Sequence, residues 1–287
     1  MKKKIFPVIL SGGQGLRLWP ASQSNLPKQF LKIQDSRSLL LNTLKRISDK
    51  LFHPPTIIGN YEHRFLLKKK LRDNRINYRS ILLEPISKNT MASVLLSVLH
   101  IMEEDPDCLI LILPADHIII DKKKFIKIVE KASYLADDGY LTTFGIKPTH
   151  PNTSLGYIKT NSKRKKNGFR IKKFVEKPDL NNAKILLKGG NCYWNSGIFY
   201  FSSKTFISQC ENFIKNTLNL AKKNFNQRKF DLGCEIFPNH LFKKFENEPI
   251  DKALMEKVKN GVVIPLSLDW SDVGSWSSIW EVMKKDK

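Results

Sequence analysis

Short apolar runs with few charged residues alternate with amphipathic segments over the first half of the chain. Such runs are typical of strands whose two faces are both buried in a parallel sheet. They predict strands over residues 5–10, 56–59, 80–84, 108–114 and 140–146. The intervening segments have helical spacing and predict helices over 38–50, 62–73, 89–105 and 123–138. Because the two kinds of element alternate, we expect an α/β fold with a Rossmann-like, doubly wound sheet, mixed but mostly parallel and flanked by helices.

The pattern changes after about residue 147. Further strands are predicted over 156–160, 169–177, 191–201 and 261–268, with a basic loop over 161–168 and a closing helix over 275–285. Helical and irregular stretches fill the chain up to about residue 258. No repeat, low-complexity linker or clear boundary is visible. We therefore expect a single domain over 1–287, made of a first half (1–147) and a second half (148–287).

The charge of the chain points to anionic ligands. Apolar residues make up 41% of the 287 residues, enough for a substantial core, and 49 Lys and Arg against 27 Asp and Glu give a net charge of +22. Such a balance suggests nucleic acid, phosphorylated metabolites or an acidic membrane surface as partners. However, the lysine runs are scattered over almost every polar stretch, whereas a nucleic-acid groove gathers cations with interleaved aromatics. We therefore expect mainly solvated basic surfaces and no nucleic-acid partner.

Cysteine usage and hydropathy indicate a reducing compartment. The four cysteines include no CxxC pair and have no histidine cluster beside them, which argues against zinc and against a disulfide framework. The apolar part of the opening MKKKIFPVIL is too short for a signal peptide, and no run approaches the length of a membrane span. We expect a cytoplasmic protein with no membrane partner.

A glycine-rich turn follows the first predicted strand. In SGGQGLRLWPASQSNLPKQFL, Gly12, Gly13 and Gly15 allow a tight turn with inward-pointing N–H groups, and such a nest binds phosphate oxygens. The stretch matches neither a P-loop, which needs Lys-Ser/Thr after its last glycine, nor the dinucleotide fingerprint. Arg17 and Lys28 would neutralise a polyphosphate. A plain turn with surface cations is the alternative, but the combination after a first strand favours phosphate binding.

Two aspartates follow predicted strands. Asp116 comes directly after CLILILPA, and Asp272 follows the strand predicted over 261–268. Ligands of open α/β sheets lie beyond the carboxyl ends of the strands. If the two carboxylates meet in space, they form a Mg²⁺ site on a bound nucleotide, because Mg²⁺ prefers oxygen ligands and substrate phosphates. An aspartate that only caps the next turn is the alternative.

Polar groups in the second half are candidates for a second ligand. Glu176 and Lys177 alternate in direction along a predicted strand, so one would accept hydrogen bonds from hydroxyls while the other meets a phosphate. In NSGIFYF, Asn195 and Gly197 would let a ligand approach the backbone closely. An exposed charged pair before a turn is the alternative for Glu176 and Lys177.

Taken together, these motifs resemble those of the sugar-nucleotide nucleotidylyltransferases (pyrophosphorylases), and within that family the bacterial mannose-1-phosphate guanylyltransferases. The matching stretches occur in family order from residue 8 to about 280: GGQGLRLWPASQSNLPKQF, LLEPISKNT, LPADHII, FVEKP, WNSGIFYF, PIDKALME and DWSDVGSW. The resemblance implies a nucleotidyltransferase fold, related to that of the A-type glycosyltransferases. It also implies transfer of GMP from GTP to mannose 1-phosphate with Mg²⁺, giving GDP-mannose and pyrophosphate without a covalent enzyme intermediate.

The resemblance also implies a role for each matching residue, with the nucleotide in the half 1–147 and the sugar in the half 148–287. Arg17, Lys28, Asp116 and Asp272 are the implied catalytic residues, the last two as metal ligands. The implied nucleotide site consists of Leu10, Gly12, Gly13, Gly15, Arg17, Lys28, Glu84, Pro85, Asn89 and Thr90. The implied sugar-phosphate site consists of Gly145, Tyr157, Glu176, Lys177 and Asn195.

The sequence departs from the family pattern at three places in the motifs. Gln23 stands where the family usually has Arg, and Met91 and Ala92 replace Ala-Pro at the start of a helix. None of these changes removes an implied catalytic group. Bifunctional relatives carry a further cupin-type domain that isomerises phosphomannose. The sequence stops at Lys287, so neither that domain nor isomerase activity is expected, and a homodimer is compatible with the family.

Three alternatives remain open at the sequence level. An enzyme of the same fold with another sugar or base would use the same motifs, since hydroxyl discrimination rests on a few hydrogen bonds. A catalytically inactive module that binds nucleotide sugars would not need both aspartates. A nucleic-acid binder would account for the charge of +22 but not for Asp116 and Asp272, which repel phosphates unless a metal is bound.

Overall fold

A computed structural model describes residues 3–13, 15–165 and 167–283 of the chain. Its strands are β1 Ile5–Ser11, β2 Thr56–Asn60, β3 Ser80–Glu84, β4 Leu109–Pro114, β5 Ile118–Ile119, β6 Leu141–Ile146, β7 Tyr157–Lys165, β8 Gly168–Val175, β9 Cys192–Ser202, β10 Lys229–Asp231, β11 Cys234–Ile236, β12 Gly261–Pro265 and β13 Trp270–Ser271. Its α-helices are α1 Leu39–Arg46, α2 Arg64–Asp73, α3 Asn89–Met102, α4 Lys122–Asp137, α5 Leu180–Lys188, α6 Ser203–Phe213, α7 Lys215–Asn226, α8 Asn239–Phe242 and α9 Trp276–Val282. Short 3₁₀ turns lie at Leu16–Leu18, Lys28–Phe30 and Tyr61–His63, and a π-helical turn lies at Asp251–Met255.

Within the described residues, a large mixed sheet of 11 strands forms the centre of the molecule. Its order is β10-β11-β3-β2-β1-β4-β9-β6-β12-β8-β7. The run from β11 through β3, β2 and β1 to β4 is parallel, and β12 is parallel to β6. By contrast, β9 runs antiparallel to both β4 and β6, and β7 and β8 form an antiparallel pair at one edge. The predicted α/β class and mixed, doubly wound sheet are confirmed, with the parallel pairing concentrated in the first half.

Alternate residues of the central strands face two separate apolar layers. On β1, Phe6 and Val8 belong to the layer formed with α3, α6 and α7, whereas Ile5 and Ile9 belong to the layer formed with α1, α2 and α4. Each of these four side chains is almost completely buried. Burial on both faces explains why the strand sequences lack polar alternation. The tightly packed sheet also holds the carboxyl ends of its strands in fixed relative positions.

The first-half elements lie close to their predicted positions, and local signals explain several of their boundaries. The Ser38 hydroxyl accepts the Leu41 N–H and begins α1, and the Asp121 carboxylate accepts the Lys124 N–H and begins α4. The closing helix α9 is present over Trp276–Val282, and residues 284–285 of the prediction lie outside the described residues.

Three local predictions for the second half were incorrect, and the first is the strand over 169–177, because β8 ends at Val175 and leaves Glu176 and Lys177 beyond it. The expected loop over 161–168 is largely strand, because β7 continues to Lys165 and β8 begins at Gly168, which makes a long antiparallel hairpin. The hairpin of β10 and β11, which extends the sheet beyond β3, was not predicted at all. Each of its strands has only three residues, too few to display a hydrophobic period.

A small two-stranded sheet joins the two halves of the chain at the carboxyl end of β4. In it, β5 pairs antiparallel with β13, with Ile118 opposite Ser271 and Ile119 opposite Trp270. Asp116 lies two residues before β5, and Asp272 lies one residue after β13. The pairing therefore brings two aspartates that are 156 positions apart in the sequence into one region of the fold.

Candidate active site

A cavity of about 650 Å³ opens beyond the carboxyl ends of β1, β3 and β4. This is the place where ligands bind in open α/β sheets, beside the strand at which the chain order reverses. It is lined by Leu10, Gly12, Gly13, Arg17, Gln29, Ile58, Glu84, Ser87, Lys88, Asn89, Thr90, Ser93, Pro114, Ala115, Asp116, His117, Lys177, Gly197, Phe199, Asn247 and Asp251. Residues from both halves of the chain therefore share one cavity.

The glycine-rich turn forms one wall of the cavity and depends on glycine at two positions. Gly15 has a left-handed φ of 65°, and a Cβ at this position would overlap the Lys28 side chain. The Gly15 carbonyl accepts the Leu18 N–H and the Ser22 hydroxyl, which closes the turn. A Cβ on Gly12 would lie 2.5 Å from Oε2 of Glu84, so glycine lets that carboxylate approach the turn.

Open space remains on the cavity side of this turn. A Cβ built on Gly13 would meet no atom within 4 Å, and Gly13 lines the cavity. Arg17 lies in the following 3₁₀ turn, is exposed and also lines the cavity. Its guanidinium has no ion-pair or hydrogen-bond partner among the described parts of the chain. Space above a glycine backbone beside an unpaired guanidinium is suited to an anionic ligand.

Lys28 connects the two aspartates that the sequence analysis singled out. Its Nζ lies 2.8 Å from Oδ2 of Asp116 and donates a hydrogen bond to the backbone carbonyl of Asp272. The ammonium is buried, whereas the Asp116 side chain is 32% exposed. The two residues thus lie on either side of the Lys28 ammonium, Asp116 through its carboxylate and Asp272 through its backbone carbonyl.

The electrostatic environment keeps Asp116 ionised. Burial alone would raise the pKa of Asp116, but the neighbouring Lys28 ammonium outweighs it and holds that pKa below its ordinary value. Burial lowers the pKa of His117, although the carboxylates of Asp116 and Asp272 oppose that effect. His117 packs edge-on against Trp270, with the ring centroids 5.4 Å apart. At neutral pH this part of the site therefore contains a carboxylate beside a neutral imidazole.

The donor set at this position fits a hard cation that is shared with a ligand. Asp116 offers carboxylate oxygens on the cavity wall, and Oδ1 of Asp272 accepts the Gly274 N–H at 3.2 Å. Among the described residues, no three His, Cys, Asp or Glu side chains gather into a group that would hold a metal ion. Two carboxylates are few for a dedicated protein cage, but they suit Mg²⁺, which is usually completed by water and substrate phosphates.

Glu84 is a buried carboxylate in the cavity wall beside the glycine-rich turn. It ends β3, is 3% exposed, and its Oε1 accepts a hydrogen bond from the Ser93 hydroxyl of α3. Burial raises the pKa of Glu84 to about 7, although the Ser93 hydroxyl favours the charged form. An unprotonated Glu84 would accept hydrogen bonds from N–H or O–H donors of a ligand in the cavity.

The raised pKa of Glu84 predicts a pH-dependent change in stability. In the folded state the Glu84 carboxyl keeps its proton up to about pH 7. In the unfolded chain its pKa has the ordinary value near 4.5, so it loses the proton at lower pH. Stability is therefore lost as the pH rises from about 4.5 to 7. Glu84→Gln removes this loss. We expect the variant to gain up to about 3 kcal/mol over the wild type at pH 8 and little at pH 4.5.

Urea unfolding of both proteins at the two pH values measures this difference. The control is Glu62→Gln, which changes an exposed glutamate and should alter the free energy of unfolding equally at the two pH values. An equal effect of Glu84→Gln at both pH values would show that burial of the charge is not the cause.

The first turn of α3 contributes Asn89 and Thr90 to the same wall. The helix begins at Asn89, which has a left-handed φ of 61° and accepts the Thr90 N–H with its side chain. The Thr90 hydroxyl accepts the Ile250 N–H at 3.0 Å. The backbone of α3 is also bonded to Glu248, through the Met91 N–H at 3.3 Å. This turn is therefore attached to the segment that leads to Asp251.

The second half of the chain contributes a group of polar residues at the cavity: Glu176, Lys177 and Asn195. Lys177 lines the cavity, and its Nζ lies 3.0 Å from Oε1 of Glu176. The Asn195 N–H donates to the Gly156 carbonyl, and a Cβ on Gly156 would lie 2.7 Å from Oε2 of Glu176. The structure therefore brings these three predicted residues together, with a glycine making room for the carboxylate.

Asp251 also lines the cavity and was absent from the residues assigned to the site. It begins the π-helical turn Asp251–Met255, and its Oδ1 accepts a hydrogen bond from Nδ2 of Asn195. Its only sequence signal was its presence in the matching stretch PIDKALME, because it follows an irregular segment rather than a predicted strand.

Gly145 and Tyr157, which were predicted to flank the sugar, are not part of the cavity lining. Tyr157 is 0% exposed, and its hydroxyl accepts the Asn152 N–H at 2.8 Å. A Cβ on Gly145 would lie 2.6 Å from side-chain atoms of both Tyr193 and Val263. Both residues lie within the sheet, so they shape its surface and in this conformation offer no side chain to a ligand.

The other predicted residues divide into those on the cavity wall and those beside it. Leu10, Gly12, Gly13, Arg17, Glu84, Asn89, Thr90, Asp116 and Lys177 line the cavity. Gly15, Lys28, Pro85, Glu176, Asn195 and Asp272 are not part of that lining. Of these, Lys28, Glu176 and Asn195 each contact a lining residue directly, and Gly15 lies against Lys28.

A doubly wound mixed sheet with a glycine turn, a lysine and two aspartates at its carboxyl edge defines a class of enzymes that act on phosphates. The chain belongs to the Nucleotidyl transferase family, whose sequence model matches residues 6–287. Members of this family generally use a divalent metal ion. A relative described as a mannose-1-phosphate guanylyltransferase, from Salmonella muenchen, is 38% identical over 287 residues, or 99% of this chain. The chain spans 60% of that relative's length.

Solved structures show the same fold. A Thermus thermophilus protein described as a mannose-1-phosphate geranyltransferase has a TM-score of 0.85 and 27% identity, over 99% of this chain and 80% of its own. A Helicobacter pylori protein described as a mannose-6-phosphate isomerase has a TM-score of 0.80 and 30% identity, over 93% of this chain and 99% of its own. No helix within the described residues is long and apolar enough to cross a membrane.

Proposed function

We propose that the chain transfers GMP from GTP to mannose 1-phosphate and releases pyrophosphate and GDP-mannose. The observation that carries the proposal is the single cavity with cations and the Asp116–Lys28–Asp272 cluster at one end and Glu176 and Asn195 at the other. The first end suits a triphosphate, and the second suits the hydroxyls of a sugar. The choice of guanine and mannose is supported by the description of the Salmonella muenchen relative.

The reaction is a displacement at phosphorus that needs little covalent chemistry from the protein. An oxygen of the sugar phosphate attacks the α-phosphorus in line, and the bond from that phosphorus to the bridging oxygen breaks as pyrophosphate leaves. Catalysis then depends on alignment of the two substrates and on neutralisation of charge. Both requirements agree with a site that contains cations and carboxylates.

Each cation has a distinct place in this scheme. The backbone of Gly12, Gly13 and Gly15 would hold the phosphates, with Arg17 at the leaving pyrophosphate. Lys28 would meet the charge that develops at the α-phosphate, because its ammonium is already fixed beside Asp116. Asp116 and Asp272 would hold Mg²⁺, which when bound neutralises phosphate charge and aligns the reacting groups.

The remaining wall residues would select the substrates. Glu84, with Asn89, Thr90 and the neighbouring Pro85, would surround the base and ribose, where the Glu84 carboxylate accepts hydrogen bonds. Lys177 would bind the phosphate of mannose 1-phosphate while Glu176 and Asn195 bind sugar hydroxyls.

The test is pyrophosphate release by the purified protein with each of four NTPs, paired with mannose 1-phosphate or glucose 1-phosphate, in the presence of Mg²⁺. We expect the highest kcat/KM with GTP and mannose 1-phosphate. A higher kcat/KM for another pair would retain the mechanism and reject the specificity. No release with any pair, from a folded protein that binds GTP, would favour an inactive binding module.

A second assay in the same series measures isomerisation of mannose 6-phosphate. It is included because the Helicobacter pylori structure is described as an isomerase. We expect no isomerisation, since the site contains the groups for phosphate displacement described above. Isomerisation in the absence of nucleotide would reveal an activity that the proposed transfer does not explain.

A further inference from the structure

Asp251 is a carboxylate in the cavity wall that the scheme above leaves without a role. It is half-buried at the start of the π-helical turn. The preceding residue is fixed by the hydrogen bond from the Ile250 N–H to the Thr90 hydroxyl. The position of Asp251 is therefore set by the first turn of α3, on the nucleotide side, as well as by Asn195 on the sugar side.

The two carboxylate oxygens of Asp251 have different surroundings. Oδ1 accepts a hydrogen bond from Nδ2 of Asn195, whose own Oδ1 accepts from the Thr143 hydroxyl and the Gly197 N–H, both at 3.2 Å. The Asn195 amide is thus oriented by protein partners at both of its polar atoms. Oδ2 of Asp251 has no hydrogen-bond or ion-pair partner in another residue of the described chain.

The charges around Asp251 favour one orientation of a sugar phosphate in the cavity. Burial, together with the nearby Glu176, raises the pKa of Asp251 to about 6, so it is ionised at neutral pH. Glu176 and Asp251 place two carboxylates at one end of the cavity, of which Glu176 is paired with the Lys177 ammonium, whereas Arg17 and Lys28 are further cations of the site. Two carboxylates repel a phosphate and attract hydroxyl donors. A sugar phosphate is therefore favoured with its hydroxyls toward Asp251 and its phosphate toward the cations.

We propose that Asp251 is a sugar-recognition residue, in which one carboxylate oxygen orients Asn195 and the other accepts a hydrogen bond from a hydroxyl of the sugar 1-phosphate. This inference rests on the proposed transfer to a sugar 1-phosphate and assigns it a specificity-determining residue. The role is in binding, because the side-chain partner of Asp251 is Asn195 and not a member of the Asp116–Lys28–Asp272 cluster.

The test is Asp251→Asn, which keeps the size of the side chain and an oxygen for the Asn195 amide. We expect KM for mannose 1-phosphate to rise at least about tenfold, since a hydrogen bond to a charged acceptor is lost. KM for GTP and kcat should stay within about twofold of the wild type, because neither depends on this hydroxyl contact. The control is Glu246→Gln, which changes an exposed carboxylate five residues before Asp251 and outside the cavity lining, and which should leave all three constants unchanged.

A set of mannose 1-phosphates that each lack one hydroxyl identifies the contact. The analogue that lacks the recognised hydroxyl should bind the wild type more weakly than mannose 1-phosphate does. It should bind Asp251→Asn as well as mannose 1-phosphate binds that variant, because the two changes remove the same interaction. The other analogues should lose equally with both proteins. A purely structural role for Asp251 would not single out one hydroxyl.

The outcomes separate this inference from the proposed function. Turnover by the wild type with an unchanged KM for the sugar phosphate in Asp251→Asn would overturn the inference alone. Equal rises of KM for GTP and sugar phosphate, or a loss confined to kcat, would also overturn it, because recognition of the sugar would not be what changed. If the wild type neither turns over nor binds any sugar 1-phosphate, both proposals fail.

Discussion

Replacing Asp116 or Asp272 with asparagine is expected to lower kcat for pyrophosphate release at least about 1,000-fold. The two residues come from distant parts of the chain, and the pairing of β5 with β13 brings them to either side of Lys28. Asparagine keeps the shape of each side chain but removes the charge that would bind Mg²⁺. Because one ion would need both carboxylates, the double variant should be little worse than either single variant.

Metal binding separates loss of the ion from a distorted site. Mn²⁺ binding in the presence of GTP, followed by electron paramagnetic resonance, should weaken in both variants. The control is Asp269→Asn, an exposed aspartate three residues before Asp272, which should retain both activity and Mn²⁺ binding. If Asp116→Asn retained wild-type turnover at the same Mg²⁺ concentration, the proposed metal site would be wrong.

The central fold was predictable because its strands are buried on both faces. Uninterrupted runs such as CLILILP and the alternating helical segments define parallel strands with crossovers, which the structure confirms over residues 5–146. The β10–β11 hairpin escaped prediction because three-residue strands carry no period. The polar residues of β7 lack the apolar signal for a strand, although β7 pairs with β8 and β9.

Buried strands also made part of the site predictable. Residues directly after buried strands, such as Asp116 after β4, could be placed at the cavity from the sequence, because the carboxyl ends of parallel strands share an edge. Asp251 could not, since its position depends on hydrogen bonds to Asn195 and, through its neighbour, to Thr90. The complete burial of Tyr157 could not be predicted either, because a sequence motif does not show which face of a strand is covered.

The arrangement of charge in the cavity relates stability to function. Glu84 and Asp251 both have raised pKa values because burial disfavours their charged forms. A fold selected for stability alone would not place two partly dehydrated carboxylates in the lining of one cavity. Hydrogen-bond donors of a bound ligand would relieve that cost, so we expect ligand binding to stabilise the protein more at pH 8 than at pH 5.

The second large effect is expected for Lys28→Met, which should also lower kcat about 1,000-fold. Methionine has a similar length and fills the buried space but removes the ammonium, which contacts Asp116 and the Asp272 carbonyl. Two consequences follow: the α-phosphate loses its fixed cation, and Asp116 loses the partner that lowers its pKa. Without that partner, burial should raise the pKa of Asp116 above its ordinary value and weaken metal binding as the pH falls.

Two companion variants show whether the charge of Lys28 or its position matters. Lys32→Met removes an exposed lysine four residues further along and should leave kcat unchanged. Gly15→Ala keeps the Lys28 amine but adds a Cβ that overlaps the Lys28 side chain, and the left-handed φ of 65° adds backbone strain. We expect Gly15→Ala to lose activity as well, by displacing the ammonium. If Lys28→Met kept kcat within tenfold of the wild type, stabilisation of the transition state would have to come from Arg17 and the metal ion, and the buried lysine would serve only to hold the two aspartates together.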